Sequence, residues 1–291
     1  MDLGPYLLLA SLEGAVAAAV LALTAVGLSL VFGVMRIVNV AHGEFFMLGA
    51  VLAWWFATLV GAHPALGFMV ALVCAPLIAA VIAATADFVV LKRLNYDPET
   101  TIVATIGLLY IIQQTVLMTY GPDARPVEAP FNYRYYFPWF GYSTYKFFVI
   151  GAAIAILLGV WVMLTKTRLG LVLRASQLDS EMATAFGIKV DRVYALVFGL
   201  GAGLAALAAV LVVPIQQAHY LMGADPLLLS FIVVIIGGLG SIAGTVVAAV
   251  FIGMSDGIIS VFFSPTTAKI IATLLVAFVL IFRGLFGKRA V

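Results

Sequence analysis

The chain has 291 residues, 65% of them hydrophobic and only 10% charged, with a formal net charge of +2. Soluble domains carry roughly 25% charged residues, so this composition excludes an ordinary soluble globule. The near-neutral charge gives no support to nucleic-acid binding, and a single cysteine, Cys74, excludes an internal disulfide.

Apolar runs near 11–34, 44–62, 64–91, 100–120, 145–165, 193–213, 244–262 and 268–283 approach or exceed the ~20 residues that cross a bilayer as helix. A further run, 227–237, is too short to cross alone and leads into Gly237, Gly238, Gly240 and Gly244. The predicted fold is therefore an all-α polytopic membrane protein. It has about eight or nine transmembrane helices and a Gly-rich broken or re-entrant segment near 236–244. Nothing resembles the ~10-residue alternating segments of a β-barrel. No Lys or Arg precedes Arg36, so the N-terminus lacks a signal-peptide pattern, and the mature chain is expected to begin at or near Met1.

Orientation follows from the basic residues. Placing the 92–99 and 166–192 loops inside leaves only Arg125, Arg134, Lys146 and Lys269 outside, out of fifteen Lys and Arg. That predicts N-out and C-in, hence an odd number of crossings, and nine is the expected count. The chain reads as one transmembrane domain over 1–291. No fixed-period repeat is visible, although an inverted repeat can lie below sequence detection.

Five constellations are candidates for function. In GLSLVFGVMRIVNVAHGEFFMLGA, residues 27–50, a polar island of Arg36, Asn39, His42 and Glu44 interrupts two apolar stretches. Polar groups at membrane depth are costly and default to a functional reading. If helical, Asn39 and His42 share a face. Charge bias puts the island at the cytoplasmic end of the first two spans, with Arg36 as an interfacial anchor. Gln113 and Gln114 stand nearest a span centre and are candidates to line a pathway. The 121–144 loop is rich in aromatics, which form interfacial belts, and it carries Arg125, Glu128 and Arg134. In the 166–192 loop, Asp179 or Ser180 can cap a short helix that Gly187 ends. Met182 and Phe186 then share one apolar face beside Glu181. The run IGGLGSIAG at 236–244 lacks the Lys of a phosphate loop. The pairs Gly240/Gly244, Gly253/Gly257 and Gly199/Gly203 have the spacing for close helix approach. A hinge at Gly237, Gly238 and Gly240 is the sharper alternative. Asp87 is placed to pair with Lys92, and Asp225, before Pro226, to cap a helix. The three histidines have no metal-site spacing, so neither a metal nor another cofactor is expected.

Three segments, FGVMRIVNVAHGEFFMLGA, GLVLRASQLDSEMATAFGIKVDRV and IGGLGSIAGTVVAAVFIG, occur in that order. They resemble the permeases of branched-chain amino-acid ABC importers of the leucine/isoleucine/valine type. The resemblance implies a transport subunit rather than an enzyme, multi-pass in a prokaryotic inner membrane. It implies a homologous second permease, two cytoplasmic ATPase subunits and a periplasmic solute-binding protein as partners. The substrate would be a branched-chain or other hydrophobic amino acid, with urea, short-chain amides and aromatic acids as alternatives inside the family. It further implies that 176–187 couples to the ATPase through Asp179, Glu181, Met182, Phe186 and Gly187. Arg125, Glu128 and Arg134 would meet the binding protein. Asn39, His42, Glu44, Gln113, Gln114 and the 237–240 glycines would belong to the pathway or gate. An ion-coupled secondary transporter is the rival class, and no proton-relay spacing supports it.

Overall fold

The computed structural model describes residues 3–61 and 63–263, together with Thr267, Ile270, Ile271, Leu274 and Phe278. The span expected at 268–283 lies largely outside the described residues. Among them, ten α-helices follow in order: α1 (Leu3–Met35), α2 (His42–Val60), α3 (Pro64–Val89), α4 (Pro98–Tyr120), α5 (Thr144–Lys166), α6 (Arg168–Leu178), α7 (Ser180–Ala185), α8 (Val190–Val212), α9 (Ala224–Gly237) and α10 (Ile242–Phe262). Seven of these are long and apolar enough to cross a membrane, and α9 is a shorter apolar helix.

Helices α1 and α8 form the centre. Their middle stretches are apolar on every face and covered by neighbouring helices, whereas the outer helices turn one apolar face to lipid. Leu23, Ala25, Val26 and Val31 on α1 and Val197, Phe198, Ala205 and Ala209 on α8 are fully buried. Small residues set the spacing. Gly14 of α1 lies against Gly253 and Gly257 of α10, and Gly199 and Gly203 of α8 lie against Pro76 and Ala80 of α3. The predicted pairs Gly253/Gly257 and Gly199/Gly203 thus serve helix packing. The outer helices α3, α4 and α5 turn Leu77, Val81, Val103, Ile111 and Leu158 outward, as a bilayer-facing surface requires.

One end of the bundle is basic. It holds Arg36, a 3-10 turn at Leu91–Leu94 carrying Lys92, and the start of α8, where Lys92 pairs with Asp191 at 2.9 Å. The expected Lys92–Asp87 pair is absent. Asp87 is instead buried and accepts from the Tyr96 hydroxyl at 3.4 Å. Asp97 caps α4, accepting from Thr100 N–H at 3.0 Å, and that bond holds its carboxyl below the usual range.

The other end is aromatic. Here β1 (Arg125–Pro126) pairs antiparallel with β4 (Gln217–Ala218), and β2 (Arg134–Tyr136) pairs with β3 (Gly141–Ser143). The sequence pattern predicts loop in this region, because strands of two or three residues carry no period. Tyr120 OH donates to Ala218 O at 2.8 Å and Lys146 pairs with Glu13 at 2.5 Å, so the aromatic end is tied to α1, α4 and β4.

Exchanging α1–α2–α3 for α8–α9–α10 maps the main packings onto one another. α1 against α10 becomes α8 against α3, α2 against α8 becomes α9 against α1, and the α2–α3 hairpin becomes α9–α10. Helix direction reverses in the exchange. The arrangement is an inverted repeat, absent from the sequence pattern because helix packing constrains residue size more than identity.

Candidate functional site

The inverted repeat produces two interrupted crossings, and the site is where they meet. After α1 ends at Met35, Arg36 takes φ +57 and the chain turns back beside its own last turns. Residues 36–41 then return to the middle of α1. His42, the first residue of α2, places Nε2 2.9 Å from Thr24 O. The polar island therefore does not sit at a cytoplasmic boundary, as charge bias suggested. Asn39, His42 and Glu44 are buried at mid-depth, 1%, 0% and 4% exposed. Arg36 alone stays at the basic end, exposed, donating to Gln177 O at 3.4 Å.

Irregular backbone at this depth needs internal partners. Asn39 is not helical, so the face it was expected to share with His42 does not form. Its Oδ1 accepts from Ala41 N–H at 3.1 Å. Val40 N–H donates to Thr105 Oγ1 of α4 at 3.3 Å, and that hydroxyl faces Ile102 O at 2.9 Å and Val38 O at 3.4 Å. Because Thr24 O can only accept, the His42 proton resides on Nε2. Asn39 Nδ2, His42 Nδ1 and Glu44 Oε2 have no hydrogen-bond partner among the described residues.

The second interruption mirrors the first. After α8, residues 213–223 dip inward from the aromatic end, and α9 begins at mid-depth beside α2. Gly223 and Gly43 are in backbone contact, and a Cβ on either would strike the other's carbonyl oxygen. One step toward the basic end, Gly27 of α1 meets Gly201 of α8, with His42 Cε1 against the same spot. Asp225 lies in the first turn of α9, and the N-cap residue is Gly223 rather than Asp225. The break expected near 236–244 falls at residues 238–241, where Gly238 and Gly240 have φ +95 and +79 and Gly240 packs on Gly33. Ser241 caps α10. The breaks at 36–41 and 213–223 carried no glycine run and escaped the sequence reading.

One cavity borders the crossing, and a second space lies apart from it at the basic end. Toward the aromatic end, a space of about 420 Å³ is walled by aliphatic residues, with Thr24, Phe46 and Met222 near the crossing. Glu13, Gln216, His219, Asp225 and Asp256 supply its polar lining. Toward the basic end, a space of about 550 Å³ lies between Phe32, Arg36, Arg174, Gln177 and Leu239.

The remaining predicted residues are scattered. Gln114 is exposed on α4 and Gln113 half-buried, and neither lines these cavities. Arg125 is committed to the fold: its guanidinium stacks 4.3 Å from Trp54 and 4.5 Å from Tyr120 and donates to Tyr120 O at 2.6 Å. Glu128 and Arg134 are exposed. The 176–187 segment is divided by Asp179, which ends α6 and caps α7 by accepting from Glu181 and Met182 N–H. Gly187 takes φ +85. Met182 and Phe186 are exposed, 55% and 82%.

Seven membrane-length helices packed around two crossings broken at mid-depth, with a cavity beside the break, are the architecture of a multi-pass transport permease of the plasma membrane. The profile of the branched-chain amino acid transport system permease component matches residues 11–282, and the chain belongs to that family. It is 27% identical over 290 residues to the high-affinity branched-chain amino acid transport system permease protein BraD of Pseudomonas aeruginosa, covering 92% of this chain and 91% of that protein. It is 27% identical over 303 residues to the high-affinity permease LivH of Salmonella typhimurium (97% and 96%). It is likewise 27% identical over 269 residues to the probable branched-chain permease LivH of Methanocaldococcus jannaschii (89% and 82%). No solved structure matches the chain.

Proposed function

We propose that this chain is the membrane-spanning subunit of an ATP-driven importer of branched-chain or similar aliphatic amino acids. In this reading it is a single domain, N-out and C-in, working with a second permease, two cytoplasmic ATPase subunits and a periplasmic binding protein. The observation that carries it is the crossing of α2 and α9 at Gly43–Gly223, with the 420 Å³ cavity on its aromatic side. Alternating access needs a barrier at mid-depth between two vestibules. A contact of bare backbone can separate or slide without breaking a side-chain lock.

The 420 Å³ cavity suits the substrate class. Its walls include Val16, Val20, Leu21, Ile215 and Leu229, apolar surface for an aliphatic side chain. Asn39, His42 and Glu44 brace the inner side of the barrier. The α6–α7 pair is the coupling element toward the ATPase, with Arg36 joining it to the 36–41 break through Gln177 O. Glu128 and Arg134 face the binding protein.

The test is uptake by proteoliposomes holding this chain with its second permease, ATPases and binding protein. Labelled leucine should accumulate only with ATP inside and binding protein outside, and should resist a protonophore. Uptake that persists without ATP and collapses with the ion gradient would overturn the reading. A panel of leucine, urea, acetamide and phenylalanine separates the substrate classes.

A further inference from the structure

We propose that the groove between α1, α5, α6 and α10 near the basic end is a binding site for an anionic phospholipid of the adjoining leaflet. The groove has a volume of about 570 Å³ and is walled by Leu30, Val34, Leu157, Leu158, Trp161 and Val246. Leu158 and Trp161 are more than half exposed on α5, so the groove opens where acyl chains run. Ser29, the polar group at its depth, is satisfied by Thr245 Oγ1 at 3.2 Å. Such walls offer nothing to a polar solute and suit a hydrocarbon chain.

The groove's other end is different. Arg174 and Gln177 line it and also line the adjacent 550 Å³ space, which adds Arg36. Neither guanidinium is paired with a carboxylate among the described residues; Lys92 and Lys146 are paired instead, with Asp191 and Glu13. The acid nearest in sequence, Asp179, is engaged in capping α7. Two unpaired guanidiniums at the mouth of an apolar channel complement a phosphodiester whose acyl chain lies in that channel. Arginine forks match phosphate oxygens, and basic pockets between membrane helices at the headgroup level select anionic lipids. The site is separate from the 420 Å³ cavity, which lies beyond the Gly27–Gly201 contact. The proposal is therefore independent of the substrate.

The test uses the full chain purified with its partner subunits in mild detergent, titrated with phosphatidylglycerol or phosphatidylcholine and followed by native mass spectrometry. Phosphatidylglycerol should be retained preferentially. The double variant R36Q/R174Q should lose about tenfold in that preference, while R36K/R174K keeps most of it. Leu158→Trp, which fills the groove and leaves both arginines, should lower retention of both lipids. Equal retention of the two lipids by the wild type, or an unchanged preference in R36Q/R174Q, would overturn the proposal. So would quantitative cross-linking of Leu158→Cys to the second permease in the bilayer, since a protein would then occupy the groove.

Discussion

Gly43 at the start of α2 and Gly223 at the start of α9 touch backbone to backbone, each occupying the space where the other's Cβ would point. They belong to opposite halves of the inverted repeat and bring two helix N-termini together at mid-depth. No larger residue fits, because the obstructing atoms are backbone carbonyls rather than flexible side chains. Gly43→Ala or Gly223→Ala should therefore destabilise the purified protein by about 1–3 kcal/mol, read as a fall in thermal unfolding temperature in detergent. Gly107→Ala on α4 is the control, since nothing lies within 4 Å of its Cβ position. It should be neutral or slightly stabilising. Equal shifts at all three positions would contradict the crossing.

The 36–41 break depends on few hydrogen bonds, and Asn39 makes one of them. Asn39→Ala leaves Ala41 N–H buried without its acceptor, a loss of about 1–3 kcal/mol. The His42 ring reaches from the start of α2 to Thr24 O of α1, and His42→Ala removes that link. Both variants should lower ATP-driven uptake in proteoliposomes more than they lower expression, because the break borders the barrier. Unchanged uptake in both would remove this segment from the gate.

Asp97 gives a pH-dependent prediction of known sign. Its carboxylate accepts from Thr100 N–H and from the Thr100 hydroxyl at 2.9 Å, which lowers its folded pKa. A depressed folded pKa adds stability above the unfolded value of about 3.9, and that stability is lost as pH falls through the folded value. Asp97→Asn should therefore show a shallower acid limb in thermal stability below about pH 4. Between pH 6 and 8 its profile should run parallel to the wild type. A wild-type advantage that grew as pH fell would have the wrong sign.

How much of this was legible beforehand depended on local pattern. Most span positions were readable within a few residues because a bilayer demands long apolar runs: 100–120 appears as Pro98–Tyr120 and 145–165 as Thr144–Lys166, although 11–34 begins earlier, as Leu3–Met35. Asp179 and Gly187 announced a capped helix because capping is local chemistry. The depth of His42 was not readable. Charge counting registers Arg36 at the boundary but cannot see the chain turn back within six residues. The β1–β4 pair joins positions about ninety residues apart through two-residue strands, too short for any periodicity. Gln113 and Gln114 misled because centrality along a span says nothing about which way a face points.

The coupling assignment is the prediction with the most to lose. Helix α7 spans six residues, too short to hold itself by propensity alone. It contacts its own bundle through little more than buried Ala183, while Leu178, Met182 and Phe186 are exposed. An apolar cluster on a polar face marks an interaction surface. Glu181→Lys with Phe186→Ala changes that surface and removes no buried contact, so the unfolding temperature should stay within about 1–2 °C of wild type. In the assembled transporter, ATP hydrolysis should continue while uptake stimulated by the binding protein falls about tenfold or more, equivalent to roughly 1.4 kcal/mol of coupling. Normal transport by an assembled double variant would place the ATPase contact elsewhere. Loss of assembly with intact folding would show the surface holding the ATPase rather than transmitting its motion.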